Sequence, residues 1–395
     1  MSDVVIVSAA RTPIGKFGGA LKSLTSVELG TIAAKAAIER AGISPKSVDQ
    51  AIFGNVLQAG SGQNVARQIA LRSGLDESSC AMTINEVCGS GLKAIRLAQS
   101  AICMGDAQVV VAGGTESMSN VPFYAQNMRF GGIRYGNSAL VDGLKKDGLC
   151  DAFTGKEMGV TAENVAAKFG ITREQQDAFA LKSHQKAVFA QNNGDFDAEI
   201  APVQLADGTL ISRDEHPRAN TSMEKLAKLK TLFEADSKHS PTVTAGNASG
   251  INDGAAALVL MSKDYAIAHG IDYLAEIVGF AEGGISPDLM GYAPKHVMER
   301  MLKNTGYTVE NIDLFEINEA FAAQSIAVCQ QLNISESKLN VRGGAIALGH
   351  PLGASGARIL TTLLYALKDN HMQNGVAALC VGGGIGVSMQ VRMRK

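Results

Sequence analysis

Leu92, Ile95, Ala98 and Ile102 recur at helical spacing, while Lys93, Arg96 and Gln99 fall off that stripe, so the segment reads as an amphipathic helix with one face toward a core. An apolar, strand-like run, "AMTI", precedes it at 81–84. Other apolar runs bounded by glycine and small residues read as strands: "DVVIVSAAR" near the start, "QVVVAGGTES" from 108, the first part of "GINDGAAALVLMSKDYAIAHG" at 250–270, and "AALCVGGGIG" from 377.

The order of these elements repeats. "AGISPKSVDQAIFGN" at 41–55 lines up with "TGYTVENIDLFEINE" at 305–319, matching Gly42 to Gly306 and Asp49 to Asp313 at an offset of 264. "CGSGLKAI" from 88 then matches "GASGARIL" from 353 through Ser90/Ser355, Gly91/Gly356 and Lys93/Arg358, at an offset of 265. An apolar strand ending in glycines follows each helix. The pattern predicts two similar α/β domains, each a mainly parallel strand set covered by helices. Between them, from about Ser119 to Ala248, the chain is more polar and carries helical stretches such as "TAENVAAKFGITREQQDAFALKSHQKAVFAQ". It reads as an insertion into the first half, giving residues 1–118 plus 250–271, the inserted 119–249, and 272–395.

Composition narrows the function. The 395 residues include 46% hydrophobic and 19% charged positions, and 36 basic against 38 acidic side chains leave a formal charge of −2. That balance argues against a nucleic-acid binder. The six cysteines lack metal-ligand or disulfide-framework spacing, which suits reduced thiols in the cytoplasm. No basic leader and no apolar run of membrane-spanning length is apparent, so no membrane partner is expected. With 43 glycines and no tryptophan, the interior must pack through small residues.

Candidate chemistry centres on Cys88. It sits at the first turn of the predicted helix, where unpaired N–H groups and the helix dipole favour an anion, so its thiolate is expected to form more easily than that of a free cysteine at about 8.5. The alternative is a small buried hydrophobe. A thiol nucleophile needs a base, and His350, in "GGAIALGHPLGASG", occupies the counterpart loop of the second half. Equivalent loops approach each other at a pseudo-twofold axis, which places Cys88 and His350 to meet; the alternative is a solvated loop histidine. Asn318 and Glu319 in "FEINEAFAAQ", and Cys380 in "ALCVGGGIG", fall at strand ends, where open α/β sheets bind ligands. A buried structural cysteine is the alternative for Cys380.

"NEVCGSG", "GNASGINDGAA", "NEAFA", "GHPLGASGAR" and "CVGGGIG", in this order and spacing, resemble the thiolase family from "SAARTPIG" to the C-terminus. The resemblance implies the α/β thiolase fold, two similar halves about a pseudo-twofold in five layers (αβαβα) with an inserted loop domain. The "HPR" and "GNASGINDGAA" wording is most similar to members that join two acetyl-CoA into acetoacetyl-CoA and CoA, or run the reverse thiolysis; the alternative within the family is a 3-ketoacyl-CoA thiolase of longer chain preference. By resemblance, Cys88 is the nucleophile that carries the acetyl group, His350 its base, and Cys380 the acid/base for the second acetyl-CoA. His350 and a water held by Asn318 form one oxyanion hole; the N–H groups of Cys88 and Gly382 form the other. No metal or redox cofactor is implied, and a homotetramer is, with residues 128–146 as a candidate contact. For coenzyme A the resemblance assigns Arg218 to the nucleotide, and Leu149, Met158, Leu229, Phe233, Ala245, Ser249 and Phe321 to the substrate path, although Leu229 and Phe233, four apart on an expected helix, equally suit a core.

Two positions depart from the family pattern: Glu157 stands where a histidine is usual, and Tyr292 adds bulk to a loop expected near the acyl pocket. Cys380 argues against a β-ketoacyl synthase, which decarboxylates its substrate and needs no second thiol. Retention of Cys88, His350, Asn318 and Cys380 together argues against a catalytically silent relative. Two thiols serving one substrate are also expected to link on mild oxidation.

Overall fold

The computed structural model describes residues 3–133, 135–235 and 239–394. Nine strands of one continuous sheet carry the fold: β1 (Val4–Arg11), β2 (Gln50–Gly54), β3 (Cys80–Ile84), β4 (Val109–Ser117), β5 (Asn252–Ser262), β6 (Ala275–Gly284), β7 (Leu314–Ile317), β8 (Asn374–Val381) and β9 (Ile385–Met393). Their spatial order is β7-β8-β9-β6-β1-β5-β4-β2-β3, with the two-residue strand Gly15–Lys16 beside β5. Read outward from the β1–β6 junction, both halves show the same series, with β1, β5, β4, β2 answering to β6, β9, β8, β7. The junction is short, pairing Val5 with Glu276 and Ile6 with Ala275.

The expected mainly parallel pairing is not what forms. Among these strands, parallel neighbours are β2–β4, β2–β3 and β7–β8, and the other pairings are antiparallel. Connection length explains it. A parallel pair needs a crossover, whereas β8 and β9 are joined by the tight Gly382–Gly384 turn, in which Gly383 and Gly384 both hold φ near +85°. The antiparallel return of β9 follows, and β5, re-entering after the insertion, takes the equivalent place.

Helices complete five layers. Helices α1 (Ser26–Arg40) and α2 (Val65–Arg72) cover the outside of the first half through Leu29, Ala33, Ala37 and Ile69. Helix α3 (Ser90–Met104) buries Leu92, Ile95, Ala98 and Ile102, the stripe read from sequence, in a core shared with Leu360, Leu363 and Leu364. Two further helices, α4 (Met158–Phe169) and α5 (Arg173–Asn193), lie in the inserted segment, separated at Gly170, whose φ is +64°. Helices α6 (Ala293–Thr305) and α7 (Ala322–Leu332) cover the outside of the second half, and α8 (Leu352–Asp369) runs beside α3 between the two sheet halves. Among the described residues no helix is long and apolar enough to cross a membrane.

The repeat has a physical basis at two of its matched pairs. Asp49 accepts N–H bonds from Gln108 and Val109 at 2.7 and 2.9 Å, and Asp313 does the same for Gln373 and Asn374 at 3.0 and 2.8 Å, so each fixes the start of the neighbouring strand. Gly91 and Gly356 mark the crossing of α3 and α8. A Cβ on Gly91 would lie 2.7 Å from the Ala357 nitrogen and 3.0 Å from the Gly353 oxygen, and one on Gly356 would run into the Leu92 backbone nitrogen.

Backbone cannot yield as a side chain can, so Gly91→Ala is expected to destabilise the protein by about 3 kcal/mol, the upper range for overpacking a core. Urea unfolding measures this; an unchanged midpoint would contradict the crossing.

Candidate active site

Cys88 lies in the turn between β3 and α3. Ser90 closes this turn, its hydroxyl accepting from the Glu86 N–H at 2.8 Å and donating to the Val87 carbonyl at 2.6 Å. Val87 is held at φ +46°, a left-handed conformation that costs a β-branched residue about 1–3 kcal/mol. Packing from the second half sustains the strain. A Cβ on Gly382 would stand 3.2 Å from Val87 Cγ1, and one on Gly89 would stand 2.9 Å from Val381 Cγ2. The β8–β9 turn is thereby pressed against the Cys88 turn.

His350 comes from the loop before α8 and is 6% exposed, so it is not a solvated loop residue. Its backbone N–H donates to Asn252 Oδ1 at 3.0 Å, and its Nδ1 lies 2.6 Å from Ser355 Oγ. The Ser355 hydroxyl already donates to the Pro351 carbonyl at 2.9 Å, so it accepts from His350, which puts the proton on Nδ1 and leaves Nε2 with its lone pair. The Asn318 amide nitrogen lies 3.4 Å from Nδ1 and 3.5 Å from Nε2, and its Oδ1 is buried without a hydrogen-bond partner. Leu352, two residues after His350, packs against Cys88.

Electrostatics overturn one expectation. Burial pushes the Cys88 thiol up to about 12, although the N–H groups of Gly382 and of Cys88 itself favour its anion; Glu116 adds to the rise. The Cys380 thiol, fully buried, is also raised, by burial first and by Cys88 second. Desolvation outweighs the helix terminus at Cys88. His350 is lowered to about 3 by burial and then by the Arg358 charge, so its imidazole is neutral across the ordinary pH range. The site thus holds a protonated thiol and a neutral imidazole.

The Thiolase, N-terminal domain model matches residues 4–264 and the Thiolase, C-terminal domain model residues 271–393. The chain belongs to the thiolase family. It is 50% identical to an acetyl-CoA acetyltransferase of Cupriavidus necator over 398 residues, covering 100% of both chains. Among solved structures, it is 43% identical to the Bacillus anthracis acetyl-CoA acetyltransferase, with a TM-score of 0.96 over 100% of this chain and 99% of that one. It is 42% identical to human mitochondrial 3-ketoacyl-CoA thiolase in complex with CoA, also at 0.96, over 100% and 98%.

In this thiolase a cleft of about 1060 Å³ opens beside the paired turns, lined by Val87, Gly382 and Met158 together with Val56, Asn85 and Lys145. Leu149 packs with the cluster around Cys88, and Met158 and Phe321 pack with Cys380, Met290 and Ala320. Ser249 is tied to this region by its N–H bond to the Ala320 carbonyl at 3.0 Å. The remaining candidates do not line that cleft. Arg218 lines a separate cleft of about 300 Å³ with His184 and Phe189, and Ala245 is exposed. Leu229 and Phe233 are not on a helix, since the helix there ends at Ala227; Phe233 instead lies against Gly159, and Leu229 against Gly246.

Glu319 is structural, accepting from Ser183 at 2.6 Å, Asn340 at 2.8 Å and the Ile346 N–H at 3.2 Å, which braces the loop leading to His350. Tyr292 is buried in the second-half core, its ring tilted 40° to that of Phe169 at 4.6 Å between centroids and meeting His296 edge-on. Met290, two residues earlier, is what reaches Cys380. Sequence reading missed Met290, Asn252 and the role of Ser355; the Ser90/Ser355 match was the one available signal for the last.

Because the Cys88 thiol is raised, its alkylation by iodoacetamide, followed on the Cys88 peptide by mass spectrometry, is expected to keep accelerating beyond about pH 8.5, where an ordinary thiol levels off. A plateau at or below that pH would contradict the burial argument.

Proposed function

We propose that this thiolase is an acetyl-CoA C-acetyltransferase, condensing two acetyl-CoA to acetoacetyl-CoA plus CoA and running the reverse thiolysis through an acetyl group on Cys88. The observation that carries the reading is the pairing of a protonated Cys88 with a His350 whose Nε2 is unprotonated, beside a second buried thiol. His350 Nε2 takes the Cys88 proton as the sulfur attacks the thioester carbonyl, and the CoA sulfur leaves with the proton of Cys380. This leaves imidazolium and a Cys380 thiolate. A thiolate that burial makes more basic is suited to removing the weakly acidic α-proton of the second acetyl-CoA. The resulting enolate oxygen is held by the His350 Nε2–H and by a water on Asn318, whose buried carbonyl oxygen lacks a partner.

The carbanion then attacks the acetyl carbonyl, whose developing oxyanion meets the N–H groups of Cys88 and Gly382. Collapse expels the Cys88 thiolate, which recovers its proton from His350. Each proton is accounted for within three side chains, so no metal or redox cofactor is needed. Met158, Met290 and Phe321 around Cys380 suit a short acyl group. The second reading is a longer 3-ketoacyl-CoA substrate, which the likeness to the human mitochondrial enzyme supports. CoA lies along the cleft and the Leu149, Ser249 and Phe321 side of the site, with Leu229, Phe233, Ala245 and Arg218 further out.

Thiolysis rates from acetoacetyl-CoA to longer 3-ketoacyl-CoA substrates separate the two readings, with the highest kcat/KM expected on acetoacetyl-CoA. Cys380→Ala separates the two thiols. It should still take radiolabelled acetyl from acetyl-CoA, slowly, while condensation falls by roughly 10²–10⁴. A folded Cys380→Ala protein that takes up no label would overturn the division of roles.

Glu157 occupies the position before Met158 and pairs with Lys145 at the cleft mouth, both side chains about half exposed. Such a pair contributes at most about 1 kcal/mol, so Glu157→His should leave the melting temperature nearly unchanged. It should instead free Lys145 for the polyanionic CoA and lower KM several-fold at constant kcat. An unchanged KM would make Glu157 a bystander.

We also take the homotetramer to be the working assembly. The 128–146 segment exposes Phe130 at 92% and Tyr135 at 101%; Arg134 in that segment lies outside the described residues. Light scattering is expected to give the mass of four chains for the native protein and of two for Phe130→Ser/Tyr135→Ser. A native mass of two chains would count against the tetramer.

A further inference from the structure

Glu116, near the end of β4, is completely buried, and four N–H donors occupy its two oxygens. Oε1 accepts from Asn55 Nδ2 at 2.8 Å and the Leu57 N–H at 3.1 Å; Oε2 accepts from the Gly353 N–H at 2.8 Å and the Val56 N–H at 3.1 Å. None of these partners can accept a carboxyl proton, so the arrangement is built for the carboxylate. What the donors belong to is informative. Val56 and Leu57 pack around Cys88 together with Leu352, whereas Gly353 stands in the first turn of α8. The N-cap of α8, Pro351, offers that turn no side-chain cap, so Glu116 supplies one from the other half of the fold. Two residues on, Ser355 fixes the His350 ring. Space at this junction is minimal: a Cβ on Gly353 would lie 2.9 Å from both the Asn55 Cα and Glu116 Oε2.

We propose that Glu116 is a positioning residue that locks the Val56–Leu57 wall beside Cys88 to the first turn of α8, thereby setting Cys88 and His350 in register for acyl transfer. The proposal rests on the acyltransferase reading above and extends it to a residue that touches no substrate. A second consequence follows from charge. Glu116 faces Cys88 from β4, and its negative charge adds to burial in keeping the sulfur protonated; burial, and then Asp253 of β5, raise the Glu116 carboxyl itself to about 7 against the three backbone N–H groups, and Cys380 faces the same thiol from β8.

Glu116→Gln removes the charge and presents an amide nitrogen to donors that need an acceptor. The expected result is a folded protein with kcat for thiolysis lowered at least about tenfold, KM for acetoacetyl-CoA within about twofold, and Cys88 alkylation by iodoacetamide at neutral pH several-fold faster. A purely structural role moves neither the kcat-to-KM split nor thiol reactivity in a fully folded variant. Unchanged kcat together with an unchanged alkylation rate overturns the proposal. Should Glu116→Gln fail to fold, Glu116→Asp keeps the charge but draws the oxygens back by one methylene. It should lower kcat and leave alkylation as in the native protein, and a native kcat there also overturns the proposal. A native protein without thiolysis activity defeats the functional reading instead. In that case the alkylation rate of Glu116→Gln still decides on Glu116, with no acceleration counting against it.

Discussion

The near-contact of backbone with backbone where α3 crosses α8 is the constraint on which the rest of this thiolase depends. At Gly91 and Gly356 any side chain would meet main-chain atoms of the opposing helix, so the helices can approach only as glycines allow. Their first turns then lie together, one preceded by Cys88 and the other by the His350 loop. Neither half holds a complete site. The first contributes Cys88 and the Val56–Leu57 wall, and the second contributes His350, Asn318, Cys380 and the glycine turn that presses on Val87.

Burial at this junction decides the charge state. A helix terminus favours an anion by about 0.3–1 kcal/mol, up to about 2 in partly buried geometry. Full desolvation shifts a buried group by as much as about 3–5 pKa units, at 1.36 kcal/mol per unit. The thiols therefore remain protonated despite the N–H groups aimed at Cys88, and His350 remains neutral beside the buried Arg358–Glu316 pair, 3.1 Å apart. In the proposed reaction charge is created only as the acyl group moves, where the same N–H groups and Nε2 would meet it, so the resting site keeps Cys88 quiet until a thioester arrives.

Much of this was legible in the sequence because the repeat carries its own physics. Asp49 and Asp313 recur because each ties two strand-start N–H groups, and Gly91 and Gly356 recur because they face each other. The apolar stripe of α3 was readable for the same local reason. The pairing direction of the strands was not, since it depends on whether the 382–384 turn or a crossover joins them, and apolar runs look alike in either case. The raised thiols escaped a reading based on helix position alone, because desolvation is a property of the assembled halves. Leu229 and Phe233 suggested a helix by spacing, yet the chain leaves the helix at Ala227, where Thr231 and Leu232 pair instead with the 243–244 segment. Glu116 gave no signal at all, since its partners at 55–57 and 353 are adjacent only in space.

The central claim is that the two halves assemble one covalent acyl-transfer site with Cys88 as its acceptor. The most direct measurement is tandem mass spectrometry of peptides from the native enzyme, quenched in acid after brief exposure to acetyl-CoA. An acetyl group is expected on the peptide containing Cys88, with Cys380 unmodified. An acetyl group on Cys380 in its place, or none on either thiol while the enzyme turns over, would contradict the claim.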